Sequence, residues 1–168
     1  ATVMSNIGLH KHLKEYGIGV DVTKVGDRYV LESMRETGSV LGGEQSGHMI
    51  FLNYTTTGDG VLSSLQFMKA YLDSGKKLSE LRDEIQIYPQ ALVNARVDNA
   101  FKATALEDEE VKKFIADIEA KMEGTGRVLI RPSGTEPLIR VMLEGEDIDE
   151  IQGYAKQVAA LISDKFGK

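Results

Sequence analysis

The chain has 168 residues, a formal net charge of −6 from 20 Lys and Arg against 26 Asp and Glu, and no cysteine. This composition excludes disulfides and thiolate chemistry, and its acidity argues against nucleic acid as a partner, because phosphate backbones are bound by clustered Lys and Arg. No apolar run reaches the roughly 20 residues that cross a bilayer, and no signal peptide pattern is present, so we expect a cytoplasmic protein with no membrane partner. The opening Ala-Thr-Val-Met predicts a strand that continues from a longer chain.

The first half of the sequence predicts alternating strands and helices. Ser5 and Asn6 are good helix caps, and Gly17, Gly38 and Gly75 are good helix ends. The predicted elements are a strand at 3–4, a helix up to 16, a strand over 18–25, a helix from 27, strands at 40–41 and 49–52, a helix from Asp59 and a short helix over 78–84. This order predicts a three-layer α/β domain over residues 1–84.

The second half predicts a different class. Its pattern changes near residues 84–90, with Pro89 at the edge. The predicted elements are a strand over 91–97, a helix over 107–123, strands over 127–131 and 138–144, and a helix over 147–166. Both long helices carry one apolar stripe, so we predict an α+β domain over 85–168, with a small antiparallel sheet and two helices on one of its faces.

The strongest local motif is Arg-Pro-Ser-Gly-Thr-Glu-Pro at residues 131–137. A planar guanidinium, hydroxyls and a flexible backbone together suit an oxyanion or phosphate. The candidate phosphate ligands are Arg131, Ser133, Gly134, Thr135 and Arg140. A plain hairpin turn explains the same residue types equally well. Arg140 lies inside an apolar run and needs a partner, either a carboxylate such as Glu144 or a phosphate held jointly with Arg131.

A second motif is the glycine-rich segment 42–48. In an extended loop, Glu44, Ser46 and His48 project to one side, where a carboxylate and a hydroxyl suit the vicinal hydroxyls of a sugar. A polar strand connection with a structural His48 is the open alternative. The sequence has neither Gly-x-Gly-x-x-Gly after a strand nor a P-loop, which argues against nucleotide binding.

A third candidate is the predicted strand-to-helix turn at residues 23–28, where Lys24, Gly26, Asp27 and Arg28 offer an anion site at a helix N-terminus. The alternative, Asp27 as a helix cap with the two basic side chains in solvent, stays open. Asp59 has too few neighbouring oxygen ligands for Mg²⁺ and is predicted to be a cap.

The three segments Gly-Glu-Gln-Ser-Gly-His, Thr-Thr-Thr-Gly-Asp-Gly and Arg-Pro-Ser-Gly-Thr-Glu-Pro-Leu-Ile-Arg-Val-Met resemble the bacterial phosphoglucosamine mutases of the α-D-phosphohexomutase superfamily. The resemblance runs over the whole chain and implies the third (1–84) and fourth (85–168) of four domains. It also implies that Glu44 and Ser46 bind sugar hydroxyls and that His48 supports that loop or touches substrate. Arg131, Ser133, Gly134 and Thr135 then bind the phosphate that does not react, with Arg140 nearby, and segment 24–28 faces the active site.

The resemblance further implies the interconversion of glucosamine 6-phosphate and glucosamine 1-phosphate through a phosphoserine and a glucosamine 1,6-bisphosphate intermediate. The phosphoserine loop and the Mg²⁺ loop of such enzymes lie in the first two domains, and nothing here matches either. We therefore assign no catalytic or metal residue and expect the chain alone to be inactive. The implied partners are a phosphorylated amino sugar and the N-terminal domains, and a homodimer of the whole enzyme stays open. The alternatives are a non-catalytic phosphosugar-binding or regulatory module and an ACT-like scaffold for 85–168.

Overall fold

A computed structural model describes residues 1–167, which form two compact units, the first over residues 1–87 and the second beginning at Tyr88. The first unit contains α1 (Ile7–Glu15), α2 (Asp27–Thr37), β1 (Leu41–Gly43), β2 (Met49–Phe51), α3 (Gly60–Ser74) and α4 (Leu78–Asp83). Its strands β1 and β2 pair as an antiparallel hairpin.

Helix boundaries in the first unit follow the local signals. Asn6 caps α1 by accepting from the Gly8 N–H, and Asp59 caps α3 by accepting from the Leu62 N–H, as predicted. Gly38, after α2, adopts the left-handed conformation that glycine tolerates best. Asp27 is the first residue of α2 rather than its cap, so that assignment was wrong by one position.

The strand predicted over 18–25 is absent. Within the described part of the chain, its only strand pairing is a single parallel bridge between Thr2 and Thr23, and the opening strand forms no more than this bridge. Alternating apolar residues predict that Ile18 and Val22 share the buried face of such a strand, but they are 53% and 52% exposed. Alternating apolar and polar residues form a strand only where a neighbouring strand pairs with them along their length. The local sequence does not determine whether such a partner strand is present.

The first unit has a small core of Val30, Met34 and Ile50, in which α2 packs on the β1–β2 hairpin. Contact is close at Gly42, where an added Cβ would lie 2.4 Å from the Met34 sulfur. The apolar stripe of α3 stays exposed, with Val61 at 72% and Leu72 at 70%. The buried core of this unit therefore lies between α2 and the β1–β2 hairpin, and that hairpin carries the segment 44–48.

The second unit contains β3 (Gln90–Arg96), α5 (Lys102–Glu107), α6 (Glu109–Lys121), β4 (Arg127–Pro132), β5 (Leu138–Glu144) and α7 (Ile148–Phe166), with a 3-10 turn over Asn99–Phe101. The strand order is β3-β5-β4, antiparallel throughout. The mixed α/β class with a small antiparallel sheet is confirmed. The single helix predicted over 107–123 begins at Glu109, because Asp108 caps α6 and separates it from α5.

The core of the second unit lies between the sheet and its helices. Its fully buried members include Ile139, Val141, Leu143, Ile151, Val158 and Ile162. Side chains alternate between the faces of a strand, so the odd-numbered residues of β5 face the helices. Arg140 and Glu144 therefore lie on the opposite, outer face of the sheet.

Replacing Asp147 with alanine is expected to lower the free energy of unfolding by about 1 kcal/mol. The Asp147 carboxylate accepts from the N–H groups of Asp149 and Glu150 and so caps α7, the longest helix among residues 1–167. Urea denaturation followed by circular dichroism measures the loss. The matched control is Asp117→Ala at an exposed position inside α6, and an equal loss in both variants would contradict the capping role.

Candidate phosphate and sugar sites

The outer face of the second unit's sheet places two arginines directly opposite each other. Arg131 on β4 is the cross-strand partner of Arg140 on β5. Like charges at such positions repel, because opposed Cβ atoms lie only about 5 Å apart. Arg140 is paired with Glu136 at 3.0 Å, whereas no hydrogen bond or ion pair engages the Arg131 side chain within the described part of the chain. This arrangement favours an anion beside Arg131.

Arg140 therefore has a carboxylate partner, but not the one considered from the sequence. Glu144 lies four residues further along β5 on the same face, is fully buried, and is hydrogen-bonded by Arg127 on β4 and Gln90 on β3. The Glu144 carboxylate thus pairs with the residues directly opposite it on β3 and β4 and not with Arg140. Glu136, which sequence reasoning did not single out, instead reaches Arg140 from within the candidate loop.

The loop between β4 and β5 is held by its own hydrogen bonds. Ser133 donates its N–H to the Leu138 carbonyl at 2.9 Å, and Leu138 donates to the Glu136 carbonyl at 2.8 Å. The hydroxyl oxygen of the buried Ser133 accepts from the Glu136 N–H at 3.2 Å, so Ser133 shapes the turn, and its O–H donates to no residue of the described chain. The loop is thus an ordered turn as well as a candidate anion site.

Gly134 and Thr135 form the exposed tip of this loop. Gly134 does not have a positive φ, and an added Cβ would meet no atom within 4 Å. The fold therefore does not require glycine there, and the space beside the backbone is open. The N–H groups of Gly134 and Thr135 have no backbone acceptor within residues 1–167, and N–H groups of this kind, together with the Thr135 hydroxyl, suit a phosphate oxygen.

Lys102 is the residue that the sequence analysis missed. It begins α5, is only 8% exposed, and donates from Nζ to the carbonyl oxygens of Ser133 at 2.6 Å and Glu136 at 2.5 Å. A charged side chain three positions before the buried Ala105 in a helical segment was the available signal. The distance of 31 residues along the chain from its loop partner hid the contact.

In the first unit, segment 44–48 connects β1 to β2. The Glu44 N–H donates to the His48 carbonyl at 2.9 Å, and Gly47 turns the chain with a φ of 90°. The half-buried Glu44 carboxylate accepts from the Gly26 N–H at 2.8 Å. The structure thus brings the second and third candidate segments together, with Glu44 at the N-terminus of α2, where a negative charge is stabilised.

His48 and Ser46 take different positions in this segment. The His48 Nε2 atom is buried without a hydrogen bond within residues 1–167, 3.5 Å from the Asp27 carboxylate. Its ring lies on Gly58, where an added Cβ would clash at 2.1 Å. Ser46 is exposed, and its hydroxyl makes no hydrogen bond to the described residues. His48 therefore supports the loop, and Ser46 is free to meet a ligand.

The two basic side chains of the third segment point toward local partners. Lys24 Nζ lies 5.9 Å from the centre of the Tyr29 ring, and Arg28 bonds Glu32 one turn along α2 at 2.9 Å. That hydrogen bond and the charge of Glu32 raise the pKa of the Arg28 guanidinium. Lys24 has no carboxylate partner in the described chain, so it is the freer cation of this segment.

No group of three or more His, Asp or Glu able to hold a metal ion is present among residues 1–167. Asp59 is occupied as the cap of α3. The side chains described here therefore do not fit a Mg²⁺ site. In the same range, no helix is long and apolar enough to cross a membrane.

Two family models cover these sites. The model "Phosphoglucomutase/phosphomannomutase, alpha/beta/alpha domain III" matches residues 1–88, and "Phosphoglucomutase/phosphomannomutase, C-terminal domain" matches residues 92–161. The chain belongs to the phosphoglucomutase/phosphomannomutase family. The resemblance inferred from the three sequence motifs is thereby confirmed.

Relatives within this family support a closer placement. The phosphoglucosamine mutase of Caldicellulosiruptor saccharolyticus is 57% identical over 98% of the chain, and that of Thermoanaerobacter pseudethanolicus is 58% identical over 99%. The chain spans about 37% of the length of each. Among solved structures, the Aspergillus fumigatus N-acetylphosphoglucosamine mutase in complex with GlcNAc-6P and magnesium matches 97% of this chain and 38% of its own, at 16% identity and a TM-score of 0.76, a likeness of fold alone.

Proposed function

We propose that the chain is the sugar- and phosphate-binding part of a phosphoglucosamine mutase that interconverts glucosamine 6-phosphate and glucosamine 1-phosphate. The observation that carries the proposal is Arg131, which has no anionic partner among the described residues although it faces a second arginine across the sheet. It lies in a chain that is 57% identical to a curated phosphoglucosamine mutase. Those two findings together favour a phosphosugar as the missing anion.

In this proposal, the second unit binds the phosphate that does not react. Arg131 offers a planar fork whose two N–H groups match two phosphate oxygens. Gly134 and Thr135 supply main-chain N–H groups, while Ser133 and Thr135 supply hydroxyls. Arg140 adds a second positive charge from the adjacent strand while Glu136 holds its side chain in place.

The first unit binds the sugar hydroxyls. The Glu44 carboxylate is ordered by the Gly26 N–H and has a second oxygen with which to accept from sugar O–H groups. Ser46 adds an exposed hydroxyl, while His48 and Asp27 support the loop. Segment 24–28, in which Lys24 has no carboxylate partner among the described residues, contacts the same carboxylate through the Gly26 N–H.

This division of roles suits a reaction in which the ligand must bind in two orientations. The reaction proceeds through a phosphoserine and glucosamine 1,6-bisphosphate, and the intermediate turns before the second transfer. A phosphate site and a hydroxyl site accept both orientations, because each orientation presents one phosphate and the same ring hydroxyls. The phosphoserine and Mg²⁺ belong to parts of the parent enzyme other than the residues described here.

The isolated chain is expected to bind glucosamine 6-phosphate without converting it. Isothermal titration calorimetry should rank glucosamine 6-phosphate above inorganic phosphate and inorganic phosphate above glucosamine, since the charge-assisted bonds to phosphate are the strongest contacts. Phosphorus NMR of the same mixture should show no glucosamine 1-phosphate. Measurable conversion by the purified chain would contradict the proposed absence of the reacting groups, and equal affinity for glucosamine would contradict the phosphate site.

The alternative, a free-standing phosphosugar-binding module, predicts the same binding. The two proposals differ in what the gene encodes upstream of Ala1. Sequencing the reading frame upstream of the codon for Ala1 separates the two. A Ser-His loop and an Asp-rich loop encoded upstream support the mutase. An open reading frame that lacks both supports the module.

A further inference from the structure

Beneath the candidate phosphate loop, α5 begins with a buried cation. Lys102 is 8% exposed, and its ammonium donates to the carbonyl oxygens of Ser133 and Glu136. No carboxylate pairs with it among residues 1–167. Burying a positive charge is costly unless other groups compensate it, and here only two peptide dipoles do so. A negative charge on the other side of the loop is the natural complement.

The bond from Lys102 to the Ser133 carbonyl also orients one peptide group of the loop. In a trans peptide the carbonyl oxygen of one residue and the N–H of the next point in opposite directions, and no cis peptide occurs in the described chain. Because the Ser133 carbonyl points at Lys102, the Gly134 N–H points away from Lys102. Neither that N–H nor the Thr135 N–H has a hydrogen-bond acceptor within residues 1–167.

We propose that Lys102 is a positioning residue for phosphate binding: its bond to the Ser133 carbonyl fixes the peptide group that carries the Gly134 N–H, so that this N–H faces the phosphate, and its bond to the Glu136 carbonyl holds the other end of the loop. Its charge adds a positive field behind the loop. This inference rests on the proposed function, since it assumes that the loop binds phosphate. Lys102 itself does not contact the ligand, which distinguishes it from Arg131.

The test replaces Lys102 with methionine, which keeps the length of the side chain and removes both donor and charge. We expect the Kd of the chain for inorganic phosphate and for glucosamine 6-phosphate to rise about tenfold, which corresponds to the loss of one charge-assisted interaction. The matched control is Lys156→Met, at an exposed position on α7 on the other side of the sheet, with an unchanged Kd. Unfolding midpoints establish that both variants are folded at the temperature of the titration.

A spectroscopic measurement separates positioning from mere support of the fold. In the unmodified chain, adding phosphate should shift the Gly134 and Thr135 amide signals in a saturable way, and in folded Lys102→Met these shifts should shrink. A lysine that only tethers α5 would change the stability and leave the Kd and these shifts as they were. That result would overturn the proposal.

The unmodified chain and Arg131→Ala keep this test distinct from the test of the proposed function. If phosphate binds the unmodified chain and Arg131→Ala loses it, while Lys102→Met binds normally, the function stands and the role of Lys102 is wrong. If the unmodified chain binds no phosphate, both fail. Should Lys102→Met not fold, Lys102→Gln is titrated in its place: a Kd for phosphate and a Gly134 amide shift equal to those of the unmodified chain overturn the proposal, and a higher Kd with a smaller shift supports it.

Discussion

Replacing Arg131 with alanine should weaken binding of glucosamine 6-phosphate roughly 10- to 100-fold while leaving the chain slightly more stable. The loss of affinity follows from removing a guanidinium fork that has no other partner within residues 1–167. The gain in stability, up to about 0.5 kcal/mol, follows from relieving the repulsion with Arg140 directly across the sheet. Calorimetry measures the first effect and urea denaturation the second.

The prediction is specific because Arg131→Ala is expected to weaken ligand binding and at the same time to raise the free energy of unfolding slightly. A structural arginine would lose stability on truncation and change affinity only by unfolding. Lys156→Ala, which removes one positive charge on the other side of the sheet, should change neither quantity beyond about 0.5 kcal/mol. An Arg131→Ala variant that is clearly less stable and binds the ligand as before would contradict the anion site and favour the plain hairpin turn.

The largest loss of stability is expected on breaking the ion pair between Arg127 and Glu144, on the same face of the sheet as Arg131 and Arg140. Arg127→Met should lower the free energy of unfolding by about 3 kcal/mol, because it leaves the fully buried Glu144 without its cationic partner. Gln90 still donates to that carboxylate from β3 but carries no charge. Urea denaturation followed by circular dichroism measures the change.

A double variant tests the stated cause of that loss. Arg127→Met combined with Glu144→Leu removes both charges and should recover at least about half of the lost stability, since a buried pair is commonly replaceable by apolar side chains. Arg96→Met, at an exposed position on the outer face of β3, is the matched control and should cost less than about 0.5 kcal/mol. A double variant no more stable than Arg127→Met would show that the unpaired carboxylate is not the origin of the loss.

Local chemistry made much of this fold predictable. The caps at Asn6 and Asp59 depend on one side chain and the first turn of its own helix, so residue type sufficed. The stripe of α7 was equally local, because its spacing alone defines a buried face. The strand over 18–25 failed for the opposite reason: its existence depends on a partner strand that the alternation of Ile18, Val20 and Val22 does not specify.

The residues of the candidate site also separate into those that local sequence identifies and those that depend on contacts between distant segments. Arg131 and Glu44 were found because their residue types and neighbouring glycines suit an anion and a sugar. The pairing of Arg140 with Glu136 and the support from Lys102 were not, because both depend on how the loop closes in space. The bond from Gly26 to Glu44 is of that kind too, since it joins two segments 18 residues apart.

A titration of the isotope-labelled chain with glucosamine 6-phosphate, followed through its backbone amide signals, tests most directly whether this chain binds both the sugar and the phosphate. We expect saturable shifts in three segments, residues 24–28, 44–48 and 131–136. Inorganic phosphate should shift the last of these alone. Shifts confined to other parts of the chain, or no saturable shift with glucosamine 6-phosphate, would contradict the assignment of this chain as the sugar- and phosphate-binding part of a phosphoglucosamine mutase.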